Sequence, residues 1–89
     1  MLTDQQQKTV HDSSMNNRSA LEAAPSCGCF FCLKVFPPAE IAIWVDRATE
    51  PDGVTALCPY CGVDAVIPST ASGKFGPGLL SDMKNYWFS

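Results

Sequence analysis

Eighty-nine residues allow one small domain, whose core is marginal unless a metal or disulfides staple it. A net charge of −3 and a pI near 4.7 argue against a protein that grips a nucleic-acid backbone, because that affinity comes from clustered Lys and Arg. The six basic residues, Lys8, Arg18, Lys34, Arg47, Lys74 and Lys84, are scattered singly, no apolar run approaches the roughly 18–20 residues of a membrane span, and the N-terminus lacks a signal-peptide core.

Met1 to Ser26 is rich in Gln, Asn, Ser and Thr and closes on Pro25-Ser26. The expectation is a disordered tail that cannot bury enough surface to offset the entropy of ordering it. One weak helical stretch, 17–24, has Leu21 as its anchor, and His11 is expected to be solvated. The domain proper then runs from Cys27 to Ser89. Phe31, Leu33 and Val35 alternate with Cys32, Lys34 and Phe36, which predicts a short strand until Pro37-Pro38.

Glu40 to Ala48 is ambiguous. Ile41, Ile43 and Val45 alternate like a strand, whereas Ile41, Trp44, Val45 and Ala48 recur like a helix. Pro38 at a first helical position and Glu40 in the first turn favour a short helix. Trp44 is expected to pack its indole over the core, with ligand stacking as the sharper alternative.

Glu50-Pro51-Asp52-Gly53 is a turn signal, and Val54 to Leu57 reads as a strand. Val63, Val66 and Ile67 suggest a short helix stopped by Pro68, aiming its first amides at the preceding sulfurs. Ser69 to Gly78 is an ordinary loop; Ser72-Gly73-Lys74 lacks the full phosphate-loop pattern. Leu79, Leu80, Met83 and Trp87 mark a one-sided C-terminal helix. The terminal Tyr86-Trp87-Phe88 is expected to dock on the core or to anchor a partner.

The chemistry lies in two cysteine pairs, Cys29-Phe30-Phe31-Cys32 and Cys58-Pro59-Tyr60-Cys61-Gly62. Each C-x-x-C points two thiolates at one ion, and two pairs supply the four sulfurs of a closed tetrahedral zinc site. Gly62 gives the second pair the permissive backbone a metal knuckle needs. The intervening 33–57 stretch is longer than the common ribbon spacing of roughly 15–20 residues. Disulfides would require an oxidising compartment, whereas the expected location is the cytoplasm. A thioredoxin-like pair would require a βαβ context. The assignment is one structural Zn(II) on Cys29, Cys32, Cys58 and Cys61, with Cys27 a free thiol nearby or an alternative to Cys29. The fold class is a small α+β zinc-stabilised domain, treble-clef or zinc-ribbon-like, with a short β-hairpin and short helices.

Beyond those pairs stand Phe36, Glu40-Ile41, Trp44, Asp46, Thr55-Ala56-Leu57, Asp64, Val66-Ile67, Gly73, Leu80, Met83 and Trp87-Phe88. Together they resemble a group of small bacterial proteins described as cytoplasmic proteins, with a zinc-knuckle pair of treble-clef or zinc-ribbon type. The resemblance covers Cys27 to Phe88 and implies a zinc-bound fold with a helix over Glu40–Asp46; it carries no activity. Thr49-Glu50-Pro51-Asp52 departs from it as an insertion, expected in a surface loop.

Four thiolates close the metal shell and make the ion a poor Lewis acid, and Glu40, Asp46 and Asp64 form no evident pair, so catalysis is not expected. The expected function is protein interaction or regulation, through aromatics among Trp44, Tyr60, Tyr86, Trp87 and Phe88. The alternative is a nucleic-acid-binding zinc module, which rests on fold analogy and is opposed by the acidic balance.

Overall fold

The computed structural model describes residues 2–45 and 53–88. It is a small α+β structure: helix α1 (Asp4–Asp12), helix α2 (Arg18–Ala23), strands β1 (Cys27–Cys29), β2 (Val35–Phe36), β3 (Trp44–Val45), β4 (Thr55–Ala56) and β5 (Val66–Pro68), and helix α3 (Pro77–Phe88). The strands form two antiparallel sheets, one ordered β2-β1-β5 and the other β3-β4.

The first sheet is built on Cys27-Gly28-Cys29. Cys27 pairs with Phe36 on one side and Pro68 on the other; Gly28 pairs with Val35 and Ile67. Pro68 has no N–H to offer a ladder and accordingly sits at the last position of its strand. α3 closes over this sheet. A Cβ added to Gly28 would lie 2.8 Å from Leu80 Cδ1 and 3.1 Å from the Phe75 ring. The missing side chain therefore sets how closely the helix packs. Leu79, Leu80 and Met83 fill that seam, all buried, as the one-sided pattern predicts, and Pro77 opens the helix where its absent N–H costs nothing.

Three expectations are corrected. The first 26 residues were expected to be disordered, but the structure places two helices there. A capping box starts α1: the Gln6 amide donates to Thr3 Oγ1 at 3.1 Å, and the Thr3 amide donates to Gln6 Oε1 at 2.9 Å. Leu2, Val10 and Leu21 then enter the same hydrophobic core as the cysteines and α3. The second correction concerns Pro38–Glu40, which makes a single 3-10 turn; the chain then extends instead of continuing as a helix. The Leu57 amide bonds the Ile43 carbonyl at 3.0 Å and Val54 bonds Val45 at 2.8 Å, so cross-strand pairing of β-branched segments outcompetes the proline-started helix. The rest of that helix and most of the Glu50–Gly53 turn lie outside the described residues. The third is the segment after Gly62, which becomes β5 because the open edge of β1 takes Val66 and Ile67 as its partner.

Asn17 links these parts. Its buried side chain donates to the Ser13 and Val66 carbonyls at 2.9 and 2.8 Å and accepts from the Ala56 amide at 3.2 Å. One amide thus ties the end of α1, the second sheet and the first. Asn16, in the left-handed region at φ 49°, a conformation Asn tolerates, directs its amide to Thr55 Oγ1 at 2.9 Å.

Leu21 is completely buried. Leu21→Ala is therefore expected to destabilise the metal-loaded protein by about 2–5 kcal/mol in urea unfolding. A disordered N-terminal segment would show almost no change.

Candidate metal centre

The two cysteine pairs fold into equivalent knuckles. In the first, Cys29 leaves β1, the Leu33 amide donates to the Cys29 carbonyl at 2.9 Å, and the Cys29 amide donates to the Lys34 carbonyl at 3.0 Å. In the second, the Gly62 amide donates to the Cys58 carbonyl at 2.9 Å and the Cys58 amide to the Val63 carbonyl at 3.0 Å. The amide two residues past each leading cysteine also donates to its sulfur: Phe31 to Cys29 Sγ and Tyr60 to Cys58 Sγ, both at 3.4 Å. Such contacts stabilise negative charge on sulfur. They replace the helix terminus expected after Gly62.

Both knuckles turn through a residue of positive φ directly after the second cysteine, Leu33 at 68° and Gly62 at 78°. The glycine accepts that conformation freely. Leucine pays for it with the crowding of its Cβ, about 1–2 kcal/mol. The strand expected to run from Phe31 is interrupted at this point, and only Val35–Phe36 pairs.

The knuckles face each other. Cys29, Cys32, Cys58 and Cys61 bring their sulfurs within 4.8 Å of one another; Cys29 and Cys61 are 3.6 Å apart, and Cys32 and Cys58 are 3.7 Å apart. Sulfurs about 2.3 Å from a tetrahedral ion are separated by about 3.8 Å, so these contacts have the edge length of a metal site. All five cysteines are free thiols. The four together can hold a metal ion, and they are the four residues the sequence singles out.

Burial acts on this set unequally. It pushes the Cys29 and Cys58 thiols upward, against the lowering effect of the backbone amides that bond them. At Cys32 burial is outweighed by the Lys34 amide and the neighbouring sulfurs, and the thiol is held below its ordinary value. Cys27 stands apart. Burial first, then the charges of Cys58 and Glu40, push it up to about 12, and its Sγ–H donates to the Phe36 carbonyl at 3.3 Å. It is a buried neutral thiol outside the cluster.

Comparisons with family models, with curated proteins and with solved structures found no match.

The aromatics expected to meet a partner are distributed unevenly. Trp44 is half-buried against the core, with the Arg18 guanidinium 4.7 Å above its ring. Tyr60, on the tip of the second knuckle, is 52% exposed; its hydroxyl bonds Glu40, which raises its pKa. Phe31 holds the same position on the first knuckle and is also exposed. A lysine ammonium lies over each tip ring, Lys34 over Tyr60 at 5.3 Å and Lys84 over Phe31 at 5.4 Å.

The C-terminal aromatics are both docked and exposed. Phe88 contacts Phe30 and Phe31 at 5.6 and 5.0 Å between ring centroids. Trp87 stacks on His11 at 4.1 Å, and the Tyr86 hydroxyl donates to Asp4 at 2.9 Å. His11, expected to be solvated, is instead half-buried between Trp87 and Phe30. Tyr86, Trp87 and Phe88 keep their outer faces exposed. Among the described residues, no helix is long and apolar enough to cross a membrane.

Nothing lies within 4 Å of a Cβ added at Gly62, so Gly62→Ala isolates the backbone cost. It is expected to weaken the metal-loaded protein by about 1–2 kcal/mol in urea unfolding. Leu33→Gly is expected to be neutral or stabilising by up to about 1 kcal/mol, since relief of the left-handed leucine is offset by the entropy of glycine. Equal losses at both positions would refute the equivalence of the knuckles.

Proposed function

We propose that the chain is a non-catalytic zinc-binding module for protein interaction or regulation, working in a reducing, cytoplasmic setting. The observation that carries the metal reading is the meeting of four cysteine sulfurs from two knuckles at tetrahedral edge distance. Soft thiolate donors in tetrahedral array favour zinc, or iron in a redox setting. A full thiolate shell leaves no position for a substrate or an activated water. The ion would then act as a staple, joining segments almost thirty residues apart in a chain whose core is small. Of the two architectures considered, the zinc ribbon suits the chain better than the treble clef, since the second pair leads into a strand rather than a helix.

Support for an interaction role comes from the exposed aromatic surface. Phe31 and Tyr60 stand at the knuckle tips, and Phe88 continues the patch from Phe31. Rigid aromatic rings that expose one face and pack the other are the kind of anchor that protein interfaces use.

Tyr60→Ala and Trp87→Ala test the reading on metal-loaded protein whose near-ultraviolet circular dichroism is unchanged. Each is expected to weaken binding of the protein that co-purifies with wild type by about tenfold or more, roughly 1.4 kcal/mol. Binding of single-stranded nucleic acid that falls steeply with salt and is lost in Lys34→Ala and Lys84→Ala would overturn it in favour of a nucleic-acid module.

A further inference from the structure

The four sulfurs are not equally reachable. Cys29 and Cys58, the leading cysteines of the two knuckles, are buried, whereas Cys32 and Cys61 are half-buried. The close sulfur contacts pair one of each kind across the knuckles: half-buried Cys61 with buried Cys29 at 3.6 Å, and half-buried Cys32 with buried Cys58 at 3.7 Å. Each reachable sulfur therefore has a shielded sulfur of the opposite knuckle in van der Waals contact. That is the arrangement of an attacking thiolate and its resolving partner.

Resting on the metal reading above, we infer that the centre is a peroxide-sensitive release device in which Cys32 and Cys61 are oxidised first and close disulfides with Cys58 and Cys29. The oxidant is hydrogen peroxide. The Cys32 thiolate attacks one peroxide oxygen; a sulfur–oxygen bond forms, the oxygen–oxygen bond breaks, and the departing hydroxide takes a proton to become water. The Cys58 thiolate then attacks the sulfenic sulfur. A sulfur–sulfur bond forms, the sulfur–oxygen bond breaks, and a second hydroxide leaves as water.

Two thiolates thus give up two electrons to one peroxide with uptake of two protons. The same sequence at Cys61 and Cys29 consumes a second peroxide. A sulfur in a disulfide carries no thiolate charge and is a poor ligand, so the ion leaves. The sulfurs need close only from 3.6–3.7 Å to about 2.05 Å. Cys27 takes no part, because its buried sulfur is turned to the Phe36 carbonyl.

The test uses the full chain, metal-loaded under anaerobic conditions, titrated with hydrogen peroxide in the presence of a chromogenic chelator. Metal content is measured beforehand. The oxidised protein is alkylated, digested with trypsin and mapped without reduction. Cleavage after Arg18, Lys34, Arg47 and Lys74 puts the first knuckle on fragment 19–34 and the second on fragment 48–74. The expected result is one ion released per two peroxides, with the two fragments covalently joined and fragmentation assigning Cys32–Cys58 and Cys29–Cys61.

Cys27→Ala is expected to behave identically and removes the spare thiol as a source of cross-linking. Separate fragments, each bridged within its own C-x-x-C, would overturn the pairing. A loaded chain that keeps its ion, or loses it to sulfinic acids without disulfides, would overturn the release device alone. A chain that holds no ion before peroxide would overturn the metal centre, and the device with it.

Discussion

Four sulfurs from 29–32 and 58–61 must reach one point, and the other elements are arranged to let them. β1 delivers Cys29 from the middle of a three-stranded sheet, and β4 delivers Cys58 from the end of the second. The two short sheets have few backbone bonds of their own. Strands of two or three residues are not independently stable, so the cluster that joins them is the constraint on which their relative placement depends. Each knuckle is closed by its own pair of backbone bonds and directs an amide to its leading sulfur. The polypeptide thus presents a thiolate-stabilising cradle before any ion is considered.

The N-terminal helices serve the same end by a different route. Leu2, Val10 and Leu21 extend the apolar core around β1, β5 and α3, and Asn17 ties the end of α1 and the two sheets together with three hydrogen bonds. His11 and Asp4 engage the last turn of α3 through Trp87 and Tyr86. The C-terminal aromatics are consequently held from below by the first helix and from the side by Phe30 and Phe31, while their outer faces remain open. An aromatic patch fixed in this way has little rotamer entropy left to lose.

The four clustered cysteines were legible because C-x-x-C spacing is a local property: a tight turn determines where both sulfurs point. The C-terminal helix was legible for a similar reason, the spacing of Leu79, Leu80 and Met83. The first helices were harder to read because Leu2, Val10 and Leu21, scattered through a polar stretch, offer little driving force on their own. Their burial depends on a surface that the rest of the chain provides. A local signal was nevertheless present in Thr3-Asp4-Gln5-Gln6, whose first and last residues form the capping box. The segment around Ile41–Val45 carried both periods, and Val63, Val66 and Ile67 carried a helical one. Strand pairing with distant partners decided them, and no window of adjacent residues contains that information. Leu33 shows the reverse: its left-handed backbone follows from the knuckle's geometry and would not be inferred from a leucine.

The central claim is that the four knuckle cysteines form one tetrahedral all-sulfur metal site. X-ray absorption at the metal edge of the purified full-length protein tests it most directly, because the edge identifies the element and the extended fine structure counts and ranges its neighbours. The account predicts zinc with four sulfurs at about 2.3 Å and no nitrogen or oxygen in the coordination shell. Three or fewer sulfurs, with a light-atom ligand at about 2.0–2.1 Å, would contradict it, leaving the open coordination position that a closed structural site does not have.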